Sequence, residues 1–416
     1  LRNADEAEQK EDERMNSLAK KIVIVLSVLV LGYVSTGYVL GRSSDDKAYH
    51  ALTVYGEVLQ HIQSDYVDEP NIHQVTSGAL HGLLDSLDPQ SGYMSPLEYT
   101  DYKEKIARKS AATGGLALTK RFGYIGVIAV LPDSPAAKAG LHIGDIFEKI
   151  GGFTTGQMAI AQAQVLLSGD SGTVVKLSVI KRGKTEPEDV DVTLAKVPVP
   201  KVAEDKLAGD IGYLRIAEFS DGTAKQVRDK LNEFKSQGDH KLILDLRDCA
   251  LGSEQEAIAT AQLFLSSGTI ATLKGQTITP IISSADPSKV VWTQPVDVLI
   301  GNGTAGPAEI VASAIAGNHR GDAIGDRTFG TASRQKLIEI DDGSALILTV
   351  ANYYTADGKE IPAEGVAPTL EIRSLPDDVA NLNDLYPPAP SSSPEDPVVK
   401  KAIEMLQNPS TSKKAA

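Results

Sequence analysis

Val296-Asp-Val-Leu-Ile300, Gly301-Asn-Gly-Thr-Ala-Gly306, Pro307-Ala308-Glu309 is the stretch on which the fold turns. Its first five residues hold four apolar side chains and stop at a glycine, which reads as a short buried strand, and a helix follows from Ala308. The same order occurs upstream as Ile211 to Ile216, a helix over Thr223 to Gln237, a strand Leu242 to Leu246 and a helix over Glu254 to Ser266. Strands alternating with helices imply an α/β core. The loop 301–306 also spells GxGxxG between a strand and a helix, the context of a dinucleotide-binding turn. Nucleotide binding through 301–306 therefore stands as an alternative, although the motif lies deep in the chain.

Ahead of this core, residues from about 112 to 197 alternate short apolar and polar runs with glycine punctuation, as in Val174–Ile180 closed by Arg182-Gly183. This predicts a β-rich module. Within it, Ser134-Pro-Ala-Ala-Lys-Ala-Gly-Leu-His-Ile-Gly-Asp-Ile146 resembles the corresponding segment of bacterial PDZ domains. That resemblance implies a carboxylate-binding turn at Gly115-Leu116-Ala117-Leu118, with Ala117 where glycine is usual, and a facing helix containing Met158, Ala161, Val165 and Leu166. Backbone N–H groups of such a turn receive a peptide's C-terminal carboxylate, while the next strand pairs with the peptide. Gly169-Asp-Ser-Gly172 imitates the nucleophile motif of trypsin-like proteases but has no His or Asp partner in a matching context, and reads as a turn.

Ile22 to Leu40 is uncharged throughout and long enough to cross a bilayer as a helix. Lys20 and Lys21 precede it, Asp45 and Asp46 follow it, and no small-x-small cleavage site is present. These features predict an uncleaved anchor with its N-terminus in the cytoplasm. Helical spacing recurs from Ala48 to Val67, where Leu52, Val58 and Ile62 belong to one apolar stripe, and again from about Ile72 to Leu87, ended by Asp88-Pro89. After Leu385 a Pro- and Ser-rich linker leads to a short amphipathic helix around Val398 to Leu406.

With 416 residues, 42% of them hydrophobic, the chain is long enough for several domains. A net charge of −14 excludes nucleic acid as a partner, because phosphate backbones are held by Lys and Arg. Cys249 is the single cysteine and the seven histidines show no zinc spacing, so neither a disulfide, a metal nor another cofactor is expected.

The core carries a second resemblance. Ile211-Gly-Tyr-Leu-Arg-Ile216, Leu242-Ile-Leu-Asp-Leu-Arg247, Thr328-Phe-Gly330, Gln335, Asp342-Gly-Ser-Ala-Leu346 and Gly365-Val-Ala-Pro368 fall in the order and spacing of the carboxyl-terminal processing proteases, peptidase family S41. With Tyr66-Val-Asp and Ser86-Leu-Asp-Pro89 the resemblance covers about residues 48 to 408. It implies an α/β multidomain protein: a cytoplasmic N-terminus (1–21), a transmembrane helix (22–40), a helical region (44–110), a PDZ domain (111–197), a ClpP/crotonase-like α/β protease-type core (198–385), and a linker, helix and tail (386–416). With the anchor read from 22–40, the expected location is the bacterial inner membrane, single-pass, with the bulk of the chain periplasmic.

The family cleaves peptides with a Ser–Lys dyad, in which a neutral lysine takes the serine's proton. Placed on this sequence, the serine position is Gly306 and the lysine position Thr331, neither of which can do that chemistry. The oxyanion positions fall on Pro307, which has no N–H, and Gly252, in a drifted Cys249-Ala-Leu-Gly252 segment. Gln335 matches a glutamine that orients the lysine. No catalytic residue is then intact, and the expected function is a pseudoprotease that binds protein C-termini or unfolded polypeptide as an adaptor or regulator. The alternative is an active serine-type endopeptidase using displaced residues such as Thr304, Ser313, Ser333 or Lys336. A homodimer, or a heteromer with an active relative, is the expected assembly.

Overall fold

Val296–Ile300 is buried at every position, Asp297 included, as a mostly apolar strand covered on both faces should be. The computed structural model describes residues 45–108, 112–121, 123–207, 209–373 and 389–408. It divides into two compact units, residues 1–76 and 77–416. The proposed anchor, 22–40, lies outside the described residues; among the described residues no helix is long and apolar enough to cross a membrane.

In the first unit, α1 spans Asp45–Asp65, and Leu52 and Val58 of its stripe are exposed. Helix α2 (Ile72–Asp85) begins at the end of this unit. Between the helices of the region 44–110 lies one short strand, β1 (Gly92–Met94), followed by α3 (Pro96–Ala107). Ser95 accepts from the Glu98 N–H and Glu98 accepts from the Ser95 N–H, a reciprocal cap that fixes where α3 starts.

The β-rich module holds β2 (Ala112–Thr113), β3 (Leu116–Arg121), β4 (Tyr124–Val130), the one-turn α4 (Pro135–Lys138), β5 (Ile146–Ile150) and β6 (Phe153–Thr154). It continues through α5 (Ile160–Leu166), β7 (Ser168–Gly169), β8 (Val174–Ile180) and β9 (Glu188–Thr193). Strands pair in the order β3-β4-β5-β8-β9, so β3 is an edge strand. Ile125, Phe147, Ile150, Leu177 and Val179 fill the core beneath the sheet.

The α/β core follows as β10 (Ala203–Leu207), β11 (Ile211–Arg215), α6 (Thr223–Gln237), β12 (Lys241–Asp245), α7 (Glu254–Gln262), β13 (Thr269–Lys274), β14 (Ile281–Ser284) and β15 (Val296–Ile300). It is completed by α8 (Pro307–Gly317), β16 (Ala323–Gly325), β17 (Ser333–Glu339), β18 (Ala345–Tyr354), the one-turn α9 (Ile361–Glu364), β19 (Leu370–Glu371) and α10 (Pro397–Gln407). The main sheet runs β10-β11-β12-β15-β16-β19, parallel from β11 onward. A second, antiparallel sheet runs β1-β18-β13-β14, with β17 also on β18. Leu244, Val298 and Ile300 face the larger core, and Ile243 and Leu299 face the other way, as strand alternation demands.

That other face is covered by α10, whose Val398, Val399, Ala402 and Leu406 are buried against Tyr213, Ile243, Leu299 and Ile324. The C-terminal helix is thus part of the core rather than an appendage beyond a linker. Its start is held by Asp396, which accepts from the Val398 N–H and from Arg247 Nη1 at 2.7 Å, while Asp245 accepts from Nε and Nη2 of the same guanidinium. Removing a cap costs about 1 kcal/mol and a charged hydrogen bond about 1.5–3 kcal/mol. Asp396→Ala is therefore expected to lower stability to urea by about 2–4 kcal/mol, with Asp396→Asn, which keeps the cap, losing less.

Candidate functional site

The site is organised by one buried carboxylate. Glu309, in the first turn of α8, is fully buried and turns back over the helix start. It accepts from the Gly306 N–H at 2.9 Å, Thr328 Oγ1 at 2.5 Å, the Gly330 N–H at 2.6 Å, the Thr331 N–H at 2.8 Å and the Ala332 N–H at 3.1 Å. Burial pushes this carboxyl above its usual range, and the five donors work against that by favouring the charged form.

Through Glu309 the loop 328–332 is pinned beside the start of α8, and Gly306 meets Thr331. The Gly306 N–H donates to Thr331 Oγ1 at 3.1 Å. Gly306 has φ +54 and ψ −116, which side chains with a Cβ adopt only under strain. Space is not the obstacle, since an added Cβ would lie 3.7 Å from the Ala250 carbonyl and 4.0 Å from Thr331 Oγ1. Pro307 sits at the first helical position, where its missing N–H costs the helix nothing. Gly252 is fixed nearby by its neighbours, because the Phe219 N–H donates to the Leu251 carbonyl and the Ser253 N–H to the Phe219 carbonyl.

Gly306, Pro307, Thr331, Gln335 and Gly252 all line one cavity of about 300 Å³, whose far wall is Ala117 and Leu118 of the β-rich module. The two modules meet here, with Ala117, Ile128 and Ala129 packed on Ala305. Among the described residues that line this cavity there is no Lys, His or Cys; Glu254 and Tyr353 are its ionisable groups. They are bound to each other, Tyr353 Oη donating to Glu254 at 2.7 Å, with Arg334 Nη2 on Glu254 at 2.5 Å.

A second cavity of about 340 Å³ lies along β3 and includes Gly114, Gly115, Leu116 and Leu118. The two cavities share Leu118, Gln164 and Leu251. Gly115, at φ +74, is required by packing as well as by its backbone, because an added Cβ would stand 2.4 Å from Ser134 Cβ. The helix wall differs from expectation. Ala159 is extended, so α5 starts at Ile160 and Met158 falls before it, buried in the module's core. The groove face carries Gln164, with Leu167 just beyond the helix, and not Ala161 or Val165.

The displaced candidates are otherwise engaged. Thr304 is fully buried, donating to the Leu246 carbonyl and accepting from the Gly301 N–H. Ser313 is buried inside α8 and bonds the Ile310 carbonyl. Lys336 is exposed on the opposite face of β17 from Gln335. Ser333 does line the cavity, donating to the Thr331 carbonyl and accepting from Gln335 Nε2 at 2.8 Å. At the glycine-rich loop, the phosphate position of a nucleotide turn is taken: Glu309 already holds the Gly306 N–H, Pro307 offers none, and Asp248 Oδ1 stands 2.5 Å from where a Gly303 Cβ would be.

Comparison with known proteins places this geometry in a family. The profile of peptidase family S41 matches residues 210–372, and that of a PDZ domain residues 126–181. A carboxy-terminal-processing protease of Bartonella bacilliformis is 30% identical over 338 residues, covering 79% of this chain and 77% of that protein. The carboxy-terminal processing protease CtpA of Bacillus subtilis is 31% identical over 356 residues, covering 85% and 76%. The chain belongs to the carboxy-terminal processing proteases of family S41. Among solved structures, the photosystem II D1 C-terminal processing protease is similar with a TM-score of 0.62 at 25% identity, over 80% of this chain and 95% of that one.

For an S41 chain, the residues that sequence reasoning did not anticipate are Gln164, Leu167 and Glu218 of the groove, and the role of Glu309. Only Glu309 had a local signal, the acidic residue three positions after the residue that starts a helix. Glu309→Ala would strand the donors of loop 328–332 in a dry interior, and is expected to cost about 3–5 kcal/mol of stability. Hydrogen exchange should then quicken at the Gly330, Thr331 and Ala332 amides; unchanged protection there would contradict this role.

Proposed function

We propose that this chain is a non-cleaving member of family S41, which binds protein C-termini or unfolded polypeptide as an adaptor or regulator. The observation that carries the reading is the meeting of Gly306 and Thr331 at one cavity wall, because the sequence resemblance assigns the family's nucleophile and base to these two positions. A residue with no side chain cannot attack a carbonyl, and a threonine hydroxyl does not take protons at neutral pH. Pro307 removes an oxyanion donor as well, a loss worth about 10²–10³ in rate, and loss of the nucleophile or base removes about 10⁶ in a comparable hydrolase.

What remains is a peptide-binding shape. Apolar Leu116, Leu118 and Leu167 line a groove that begins at the Gly114–Gly115 turn and is continuous with the former reaction cavity. The reading extends to location and assembly: 22–40 as a single-pass anchor of the bacterial inner membrane, the remainder periplasmic, and a homodimer or a heteromer with an active relative.

An active serine-type endopeptidase with displaced residues is the second reading, favoured by relatives that are named proteases. It would depend on Ser333, the serine hydroxyl at the cavity. Incubated with an unfolded polypeptide ending in an apolar tail, the full chain is expected to release no fragments by mass spectrometry. The triple variant Gly306→Ser, Pro307→Ala, Thr331→Lys is expected to regain cleavage. Fragments released by the natural chain, and lost in Ser333→Ala, would overturn the non-cleaving reading in favour of the second.

A further inference from the structure

Among the described residues, the groove along β3 is lined by one charge. Glu218, in the segment that leaves β11, lines the same 340 Å³ cavity as Gly114, Gly115 and Leu116. Every other described residue that lines the cavity is neutral, including Gln164 of α5 and Val197 and Val199 of the strand-to-core linker. Behind Glu218 lies the Cys249 thiol, fully buried and pushed up by that burial, hence uncharged.

The position of Glu218 is fixed by its backbone. Its carbonyl accepts from Thr223 Oγ1 at 3.3 Å, and the next residue, Phe219, is paired with Leu251 and Ser253. Its carboxylate, by contrast, has no hydrogen-bond or ion-pair partner among the described residues, although it is half-buried. Burial alone raises its affinity for a proton. A half-buried carboxylate left without a partner is costly unless a ligand or a proton completes it.

A peptide seated in this groove by its C-terminus would bring a second carboxylate into the same small space. Like charges a few ångströms apart in a partly desolvated site repel by far more than in water. We propose that Glu218 decides which peptide ends the groove accepts: it opposes an ionised C-terminal carboxylate at the Gly114–Leu116 turn, so free tails bind when Glu218 is protonated. The inference rests on the reading of this groove as a tail-binding site. The sign follows from charge. Protonation removes the repulsion and leaves an O–H that donates to the incoming carboxylate, so affinity rises as pH falls and binding takes up a proton.

The test measures fluorescence anisotropy of two labelled peptides of one apolar sequence, one ending in a free carboxylate and one in an amide. Each is titrated with the full chain and with its Glu218→Gln variant, from about pH 8 to about pH 5. The natural chain is expected to bind the free acid roughly tenfold more tightly at the acid end. Glu218→Gln is expected to bind it at the tight level throughout, and the amide is expected to show little dependence on pH or on the variant. If Glu218→Gln keeps the natural chain's affinity and pH profile for the free acid, Glu218 has no such role and the proposal fails while the groove stands. If neither peptide binds either protein at any pH, the tail-binding reading itself fails and takes the proposal with it.

Discussion

Five donors converging on one buried carboxylate hold this site together. Glu309 ties the start of α8, which follows β15 of the parallel sheet, to the loop 328–332, which leads into β17 of the antiparallel sheet. A carboxylate in a dry interior is unfavourable unless its lone pairs are all used, and here they are. The arrangement needs no serine at 306 and no lysine at 331. It therefore fixes the backbone of this cavity whatever side chains stand at 306 and 331.

Gly306 illustrates the physical consequence. Its backbone sits where a Cβ is strained, a cost of about 1–3 kcal/mol for any other residue. Glycine relieves the strain, and proline after it is well suited to the first turn of α8. Both residues suit the start of the helix. The Thr331 hydroxyl, bonded to the Gly306 N–H, closes the gap between the two positions with a neutral contact.

The parts of the fold that could be read from sequence are those with strong local pattern. Val296–Ile300 is apolar nearly throughout and buried throughout, and Thr223–Gln237 lies between two left-handed glycines, Gly222 and Gly238, that mark its ends. The antiparallel sheet was hidden because its strands pattern weakly. Residues Ser333–Glu339 are mostly exposed, and β18 pairs with a three-residue strand, Gly92–Met94, some 250 residues earlier. The groove was read one register out. On a helix of two turns a shift of one residue rotates the face by about 100°, which is why Gln164 and Leu167, and not Ala161 and Val165, form the wall. Glu218 carried no signal at all, since it joins the groove from a different domain.

With Gly306, Pro307 and Thr331 at its wall, the cavity should form no covalent bond to a bound acyl group. Intact-mass measurement after treating the full chain with an excess of a serine-directed fluorophosphonate addresses it most directly, with the Gly306→Ser, Pro307→Ala, Thr331→Lys variant alongside. The account predicts an unchanged mass for the natural chain and a single adduct at position 306 of the variant. A stoichiometric adduct on the natural chain, at Ser333, Thr331 or elsewhere in the cavity, would contradict it.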